Sequence, residues 1–275
     1  MKTEKPGIIA VRNFLNKFYM LFSGLSGFDP RRTLRSLRGI PRYVRGRRKF
    51  RGGYDGKMTF MPCLSDWYEE GGNTRGEYFL QDLLVARWIF EAGPQRHVDV
   101  GSRIDGFVAH LASFREVEVF DLRNVSAKMP GIIFKQADFM GQLADMDEYC
   151  DSLSCLHALE HFGLGRYGDP INPDGYKLGL ANMARILKRG GRFYLSVPIG
   201  QERVAFNAHR VFDPRTVIRR CEENGLKLES LSVIGAKGAV RHMVPDELAL
   251  TDLARCSYNL GLFIFKKGLN MPHGN

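Results

Sequence analysis

From residue 97 onward the chain alternates short apolar β runs with helical stretches, and no other feature narrows its fold as far. The β runs cover residues 97–100, 117–120, 132–135, 152–156 and 192–197. Helical patterns precede or separate them at 77–91, 104–114, around Gln142 and at 174–187, where Gly190-Gly191 follows. Asp213-Pro214 opens a further helix, with an N-cap acid and a proline at the first helical position. Five such β-helix repeats predict a parallel sheet with helices on both faces. Two last runs, 228–234 and 260–265, flank a long insertion and suit a reversed edge strand. The expected architecture for residues 73–275 is therefore a doubly wound, mostly parallel seven-stranded α/β sheet.

Residues 1–72 read as a separate helical, basic extension. Apolar residues Ile8, Val11, Phe14, Leu15, Phe18, Leu21 and Phe22 recur at helical spacing, opposite Arg12, Asn13, Asn16 and Lys17. Between Pro30 and Arg51 come Arg31, Arg32, Arg35, Arg38, Arg42, Arg45, Arg47, Arg48, Lys49 and Arg51, with no acid among them. These ten equal the whole net charge of +10, so the basicity is local. An amphipathic helix followed by clustered arginines suits an anionic membrane surface, with residues 8–51 as the contact. A helix packed on the chain's own core, with solvated arginines, and a nucleic-acid contact are the alternatives. No apolar run of about 20 residues predicts a membrane span, and no secretory pattern opens the chain. The five scattered cysteines form no C-x-x-C pair, so a cytoplasmic setting is expected. Cys150 and Cys155 read as buried structural thiols.

In open α/β sheets ligands bind beyond the carboxyl ends of the strands. Asp99, Gly101, Ser102, Arg103 and Gly106 fall at the end of the first run. Asp121 ends the second, Asp138 follows the third, and Cys155 to His161 close the fourth. A glycine there allows a sharp turn and a close ligand approach. Free amides at the next helix start can receive a carboxylate. An acid ending the second strand can accept both hydroxyls of a ribose.

This arrangement resembles the class I S-adenosylmethionine-dependent methyltransferases. Two phrases add to the likeness: His157-Ala158-Leu159-Glu160-His161-Phe162, and Leu187-Lys188-Arg189-Gly190-Gly191-Arg192. The chain also resembles an uncharacterised bacterial methyltransferase-like group associated with cell-surface polysaccharides. The resemblance implies S-adenosylmethionine as cofactor, with Gly101 along its methionyl part, Asp121 on the ribose and Asp138 on the adenine. It places Cys155 and Leu156 beside the sulfonium and gives Asp99 an indirect, orienting role. Where the family often has a second glycine, this chain has Arg103. That arginine either grips the methionyl carboxylate through two hydrogen bonds or flanks a remodelled turn.

Methyl transfer to a hydroxyl needs a base, and His161 and His209 are the candidates, with His157 and Glu160 in supporting positions. His157 and His161 do not form H-E-x-x-H, and no metal site is expected. The turn-rich segment 163–175 carries Tyr167, Asp169, Asn172 and Asp174, which suit a polyol acceptor. The expected activity is methylation of a sugar-containing or lipid-linked acceptor by an enzyme at the inner face of a membrane. The rivals are a non-catalytic, membrane-associated assembly factor with a degenerate fold, and a nucleic-acid methyltransferase.

Overall fold

The computed structural model describes residues 18–19, 22–72, 74, 76–235 and 238–269, the side chains of Arg31 and Arg32 excepted. The chain divides into two compact units, Met1–Asn73 and Thr74–Asn275. Most of the amphipathic helix expected at 8–22 lies outside the described residues; Phe18, Tyr19 and Phe22 are helical.

The first unit is built on helix α1, Pro30–Arg51, which carries the clustered basic residues. Pro41 sits inside it and removes one backbone donor from its ladder. Gly39 lies so close to the Leu64 carbonyl that a Cβ would collide with it. Tyr43 packs edge-on to Phe60, 5.9 Å between ring centres. The segment 60–68 thus covers one face of α1.

The second unit holds the alternating elements. Helix α2, Glu77–Ala92, precedes β1, His97–Val100. A π-helical turn, Ile104–Val108, leads into the short helix α3, Ala109–Ala112. Then come β2, Val117–Asp121, β3, Ile132–Gln136, and β4, Cys150–Leu156. Helix α4, Gly175–Ile186, runs directly into β5, Leu187–Ile199. A small hairpin, β6, Arg203–Ala205, with β7, His209–Val211, precedes α5, Pro214–Glu222. The chain continues with β8, Leu226–Ile234, β9, Val240–Met243, α6, Glu247–Arg255, and β10, Asn259–Lys267.

Eight of these strands form one sheet in the order β3-β2-β1-β4-β5-β10-β8-β9. β1 to β5 run parallel to one another, and β10 runs antiparallel to both β5 and β8. The interiors of the central strands are fully buried, from Val98 and Val119 to Leu153, Phe193 and Phe263, while β3 and β9 at the sheet edges are partly exposed. One face is covered by α2 and α3 through Val85, Ile89 and Leu111. The other is covered by α4, α5 and α6 through Met183, Cys221 and Leu253. Apolar residues on both sides of each parallel strand are what this two-faced covering requires.

Several expectations are corrected. The sheet has eight strands, because β9 adds a short edge inside the insertion before α6. The reversed strand β10 is interior, flanked on both sides. No helix forms around Gln142, where turns connect β3 to β4. The helix expected at 104–114 is broken by Gly106, whose φ −128° and ψ −105° no helix contains. Gly190 and Gly191 lie within β5 instead of ahead of it. The N-cap at Asp213 forms as expected, accepting from the Arg215 amide, with Pro214 behind it.

One polar chain crosses the core between β1 and β4. The two ring nitrogens of His97 meet the Ser152 and Ser154 hydroxyls at 2.7 and 3.0 Å, and the Ser154 hydroxyl donates to Asp99 at 2.5 Å. Full burial holds His97 neutral, its pKa pushed down to about 3. In the unfolded chain a histidine protonates near 6.5. The His97 contribution to stability is therefore complete above that pH and is lost as pH falls toward about 3. Thermal unfolding followed from pH 7 to pH 4 should show this loss, and His97→Gln should flatten it.

Candidate active site

A cavity of about 370 Å³ opens where β1, β2, β3 and β4 end. Its walls come from Val100 and Gly101, Phe120 to Arg123, Ala137 to Met140, and the segment after β4. Helix α2 contributes Glu77 and Tyr78, the hairpin contributes His209, and Tyr258 enters just before β10.

Gly101 makes the turn after β1. Its φ is +72°, and a Cβ there would meet that of Ala158 at 2.9 Å, so only glycine fits. Its amide donates to the Phe120 carbonyl at 2.8 Å. The turn is held from below by Asp99, which accepts from the Ser102 amide at 3.1 Å and the Ser102 hydroxyl at 2.6 Å. The Ser102 oxygen in turn accepts the Leu156 amide at 3.0 Å. Asp99, Ser102, Cys155 and Leu156 are all buried and none lines the cavity. Asp99 and Ser102 shape the turn; Cys155 and Leu156 belong to the core, so the placement of the last two against a ligand is corrected.

Arg103, Asp121 and Asp138 do line the cavity. Asp121 is gripped by Arg123, whose Nε and Nη2 donate at 3.0 and 2.7 Å to different carboxylate oxygens. Arg123 also lies over the Tyr167 ring, 4.4 Å from its centre. Asp138 accepts the Met140 amide at 2.8 Å and keeps its second oxygen without a protein partner. Arg103 is half exposed and paired with Asp105 at 2.9 Å, with its guanidinium 5.5 Å from the Tyr78 ring centre.

The acid–base groups come from α2, the segment after β4 and the hairpin. His157 takes a left-handed backbone, φ +51°, at the end of β4. Its Nδ1 donates to Gln81 Oε1 at 2.9 Å, and its ring stacks on Tyr78 at 4.3 Å. Its Nε2 is buried 3.4 Å from Glu77, without a well-formed hydrogen bond. Glu77 also accepts the Tyr258 hydroxyl at 2.7 Å. Burial raises the Glu77 pKa, but the Tyr258 hydroxyl and the neighbouring His157 ring outweigh it and leave the carboxylate below its usual range.

Glu160 is 1% exposed, lines the cavity, and has an oxygen, Oε2, with no hydrogen-bond partner. Burial pushes its pKa up to about 7. His161 donates from Nδ1 to the Ala208 carbonyl at 2.7 Å, which leaves Nε2 as the proton acceptor, 3.8 Å from Glu160. Burial drives the His161 pKa down to about 4, and burial also lowers that of His209. A base works best with a pKa near the working pH. Glu160 meets that condition and His161 does not.

Glu77, Tyr78, Arg123 and Tyr258 were not anticipated. Asp121 and Arg123 at i,i+2 carry a local signal, because a strand-ending acid caps the amide two residues on. Glu77 and Tyr258 are 181 residues apart and no local pattern joins them. Among the described residues no group of three metal-ligating side chains converges.

The segment after β4 is held by a buried arginine. Arg210 Nη1 donates to the Glu160 and Phe162 carbonyls at 3.4 and 2.6 Å, and Nη2 to Pro173 at 3.3 Å. Asp169 accepts the Gly165 and Tyr167 amides, which turns its carboxylate into a brace for the loop.

The fold is a Rossmann-like α/β fold with an eight-stranded, mostly parallel sheet. Among solved structures, the [4+2]-cyclase SpnF superposes with a TM-score of 0.51 at 13% identity, over 73% of this chain and 86% of that one. The 1,6-didemethyltoxoflavin-N1-methyltransferase of Burkholderia thailandensis, bound to 1,6-didemethyltoxoflavin and S-adenosylhomocysteine, gives 0.48 at 16% identity, over 88% and 91%. Residues 116–219 match the family described as "Caenorhabditis protein of unknown function, DUF268", a stretch running from β2 into α5. No curated protein matches the chain.

Arg210→Ala should leave the Glu160, Phe162 and Pro173 carbonyls short of a donor, the first of them buried and the other two partly so. We expect a loss of about 2–4 kcal/mol of stability, read by thermal unfolding, and faster proteolysis within residues 163–175.

Proposed function

We propose that the protein transfers a methyl group from S-adenosylmethionine to a hydroxyl of a sugar-containing or lipid-linked acceptor. A link to cell-surface polysaccharides is part of the same proposal. The observation that carries the reading is the position of Glu160: a buried carboxyl with an unpartnered oxygen, in the cavity that also presents Gly101, Asp121 and Asp138.

The residues fit the cofactor. Gly101 offers a backbone surface where a Cβ would not fit. Phe120, Leu122 and Phe139 give apolar walls for a purine, and Asp138 has a carboxylate oxygen open to an amino group. Asp121 retains acceptor capacity beyond its bonds to Arg123, because a carboxylate has about four lone-pair sites. Arg103, with donors beyond those on Asp105, would take the methionyl carboxylate. When bound, the cofactor supplies an electrophilic methyl group.

The chain's own part is to position the acceptor and remove its proton. Ionised Glu160 takes the hydroxyl proton. His161, neutral and fixed by Ala208, orients the acceptor through Nε2. His209 stands on the hairpin side of the cavity and helps shape the acceptor end. Arg210 fixes the backbone on which Glu160 stands.

One observation favours a second reading. Arg123 occupies both oxygens of Asp121, the carboxylate that would hold the ribose. A domain that no longer binds the cofactor, and serves as an assembly factor, would tolerate this pairing.

Calorimetric titration with S-adenosylmethionine separates the two. Micromolar binding, abolished in Asp121→Ala, supports the enzyme; no binding to folded protein, with none gained in Arg123→Ala, supports the alternative. Where methylation is found, the rate should rise with pH and level off above about 7, as Glu160 ionises. Glu160→Gln should lower kcat by about 10²–10⁴-fold and leave cofactor affinity in place.

A further inference from the structure

Helix α1 has three distinct faces. At 100° per residue, Ser36, Gly39 and Tyr43 fall on the side that the segment 60–68 covers. Leu34, Leu37, Ile40 and Val44 fall together on a second side and are 53, 56, 42 and 39% exposed. Arg35, Arg38, Arg42, Arg45 and Lys49 line the flank between the two. Arg35, Arg38, Arg45 and Lys49 form no ion pair with a described acid. Trp67, 69% exposed, lies beneath Arg42 with the guanidinium 4.1 Å from its ring centre.

We propose that α1 is a membrane-surface helix, which lays Leu34, Leu37, Ile40 and Val44 among lipid chains and sets the adjoining arginines on anionic head groups. The apolar stripe decides the partner. Nucleic acid would draw on the arginines alone and leave four branched aliphatic side chains in water. A bilayer with anionic lipid satisfies both stripes at once, because its charged layer lies directly above hydrocarbon. Arginine suits this boundary, since its aliphatic stem lies along apolar surface while its head reaches phosphate. An exposed tryptophan fits the same layer. No described helix is long and apolar enough to cross a membrane, so the contact is interfacial. The proposal stands without the methyltransferase reading and concerns the other unit of the chain.

The test uses the full-length protein and vesicles of phosphatidylcholine, alone or with about one-third phosphatidylglycerol. We expect sedimentation with the anionic vesicles, little with the neutral ones, and a blue shift of tryptophan fluorescence on binding. Replacing Arg35, Arg38 and Arg45 by Gln should weaken partitioning about 100-fold. Leu37→Ser with Val44→Ser should remove the fluorescence shift and the fraction of binding that survives high salt. These side chains are exposed, and circular dichroism confirms that each variant is folded. Equal binding to neutral and anionic vesicles overturns the proposal. So does anionic binding that the two serine substitutions leave unchanged, or binding to single-stranded RNA with none to vesicles.

Discussion

The Asp99 carboxylate accepts three hydrogen bonds inside the sheet, from the Ser102 amide, the Ser102 hydroxyl and the Ser154 hydroxyl. Those bonds tie the end of β1, the turn after it and the middle of β4 into one piece. The Ser102 oxygen extends the tie to the Leu156 amide, so the place where β4 stops is fixed relative to Gly101. Gly101 and Ala158, the two sides of the cavity floor, face each other as a result. Burial costs Asp99 part of its acidity, raising its pKa to about 6. Three donors on one carboxylate offset part of that cost, and the network fixes the geometry of the turn.

The parallel core was legible because its strands are buried on both faces and its turns are punctuated. Residues 97–100 and 117–120 read as strands ending at Gly101 and Asp121, and strands form at His97–Val100 and Val117–Asp121. Less regular parts escaped. The hairpin β6–β7 has strands of three residues, too short for any alternation to register. β9 is four residues long at an edge, with only partial burial. Around Gln142 the polar and apolar residues suit a helix, yet Asn182 donates to the Phe139 and Gly141 carbonyls and holds that backbone in turns. Side-chain bonds from a distant helix overrode local preference there.

At the site, the same division holds. Asp121 and Asp138 could be found because each follows a strand, and Gly101 because a tight turn needs it. The sequence also showed Glu160 and His161 side by side, but not which one could act as a base. That depends on two environmental facts: Glu160 is fully buried with no donor on Oε2, while His161 is buried and already committed through Nδ1. The same cause, loss of water, moves the two groups in opposite senses, because the carboxyl is charged when deprotonated and the imidazole when protonated. In water a histidine titrates nearer neutrality than a glutamate; in this cavity the order is reversed.

The buried arginine Arg210 and the buried Glu160 explain each other. Arg210 donates to the Glu160 backbone carbonyl, not to its carboxylate. A guanidinium paired directly with that carboxylate would hold its pKa low and leave it a weak base. By spending its donors on the Glu160, Phe162 and Pro173 carbonyls, the arginine immobilises the segment and keeps its hydrogen bonds off the side chain. Glu77 accepts the Tyr258 hydroxyl and faces His157, and its negative charge adds to the upward push on Glu160. Position is thus supplied by backbone bonds and proton affinity by burial. Two requirements that would conflict on a single side chain are met by different groups.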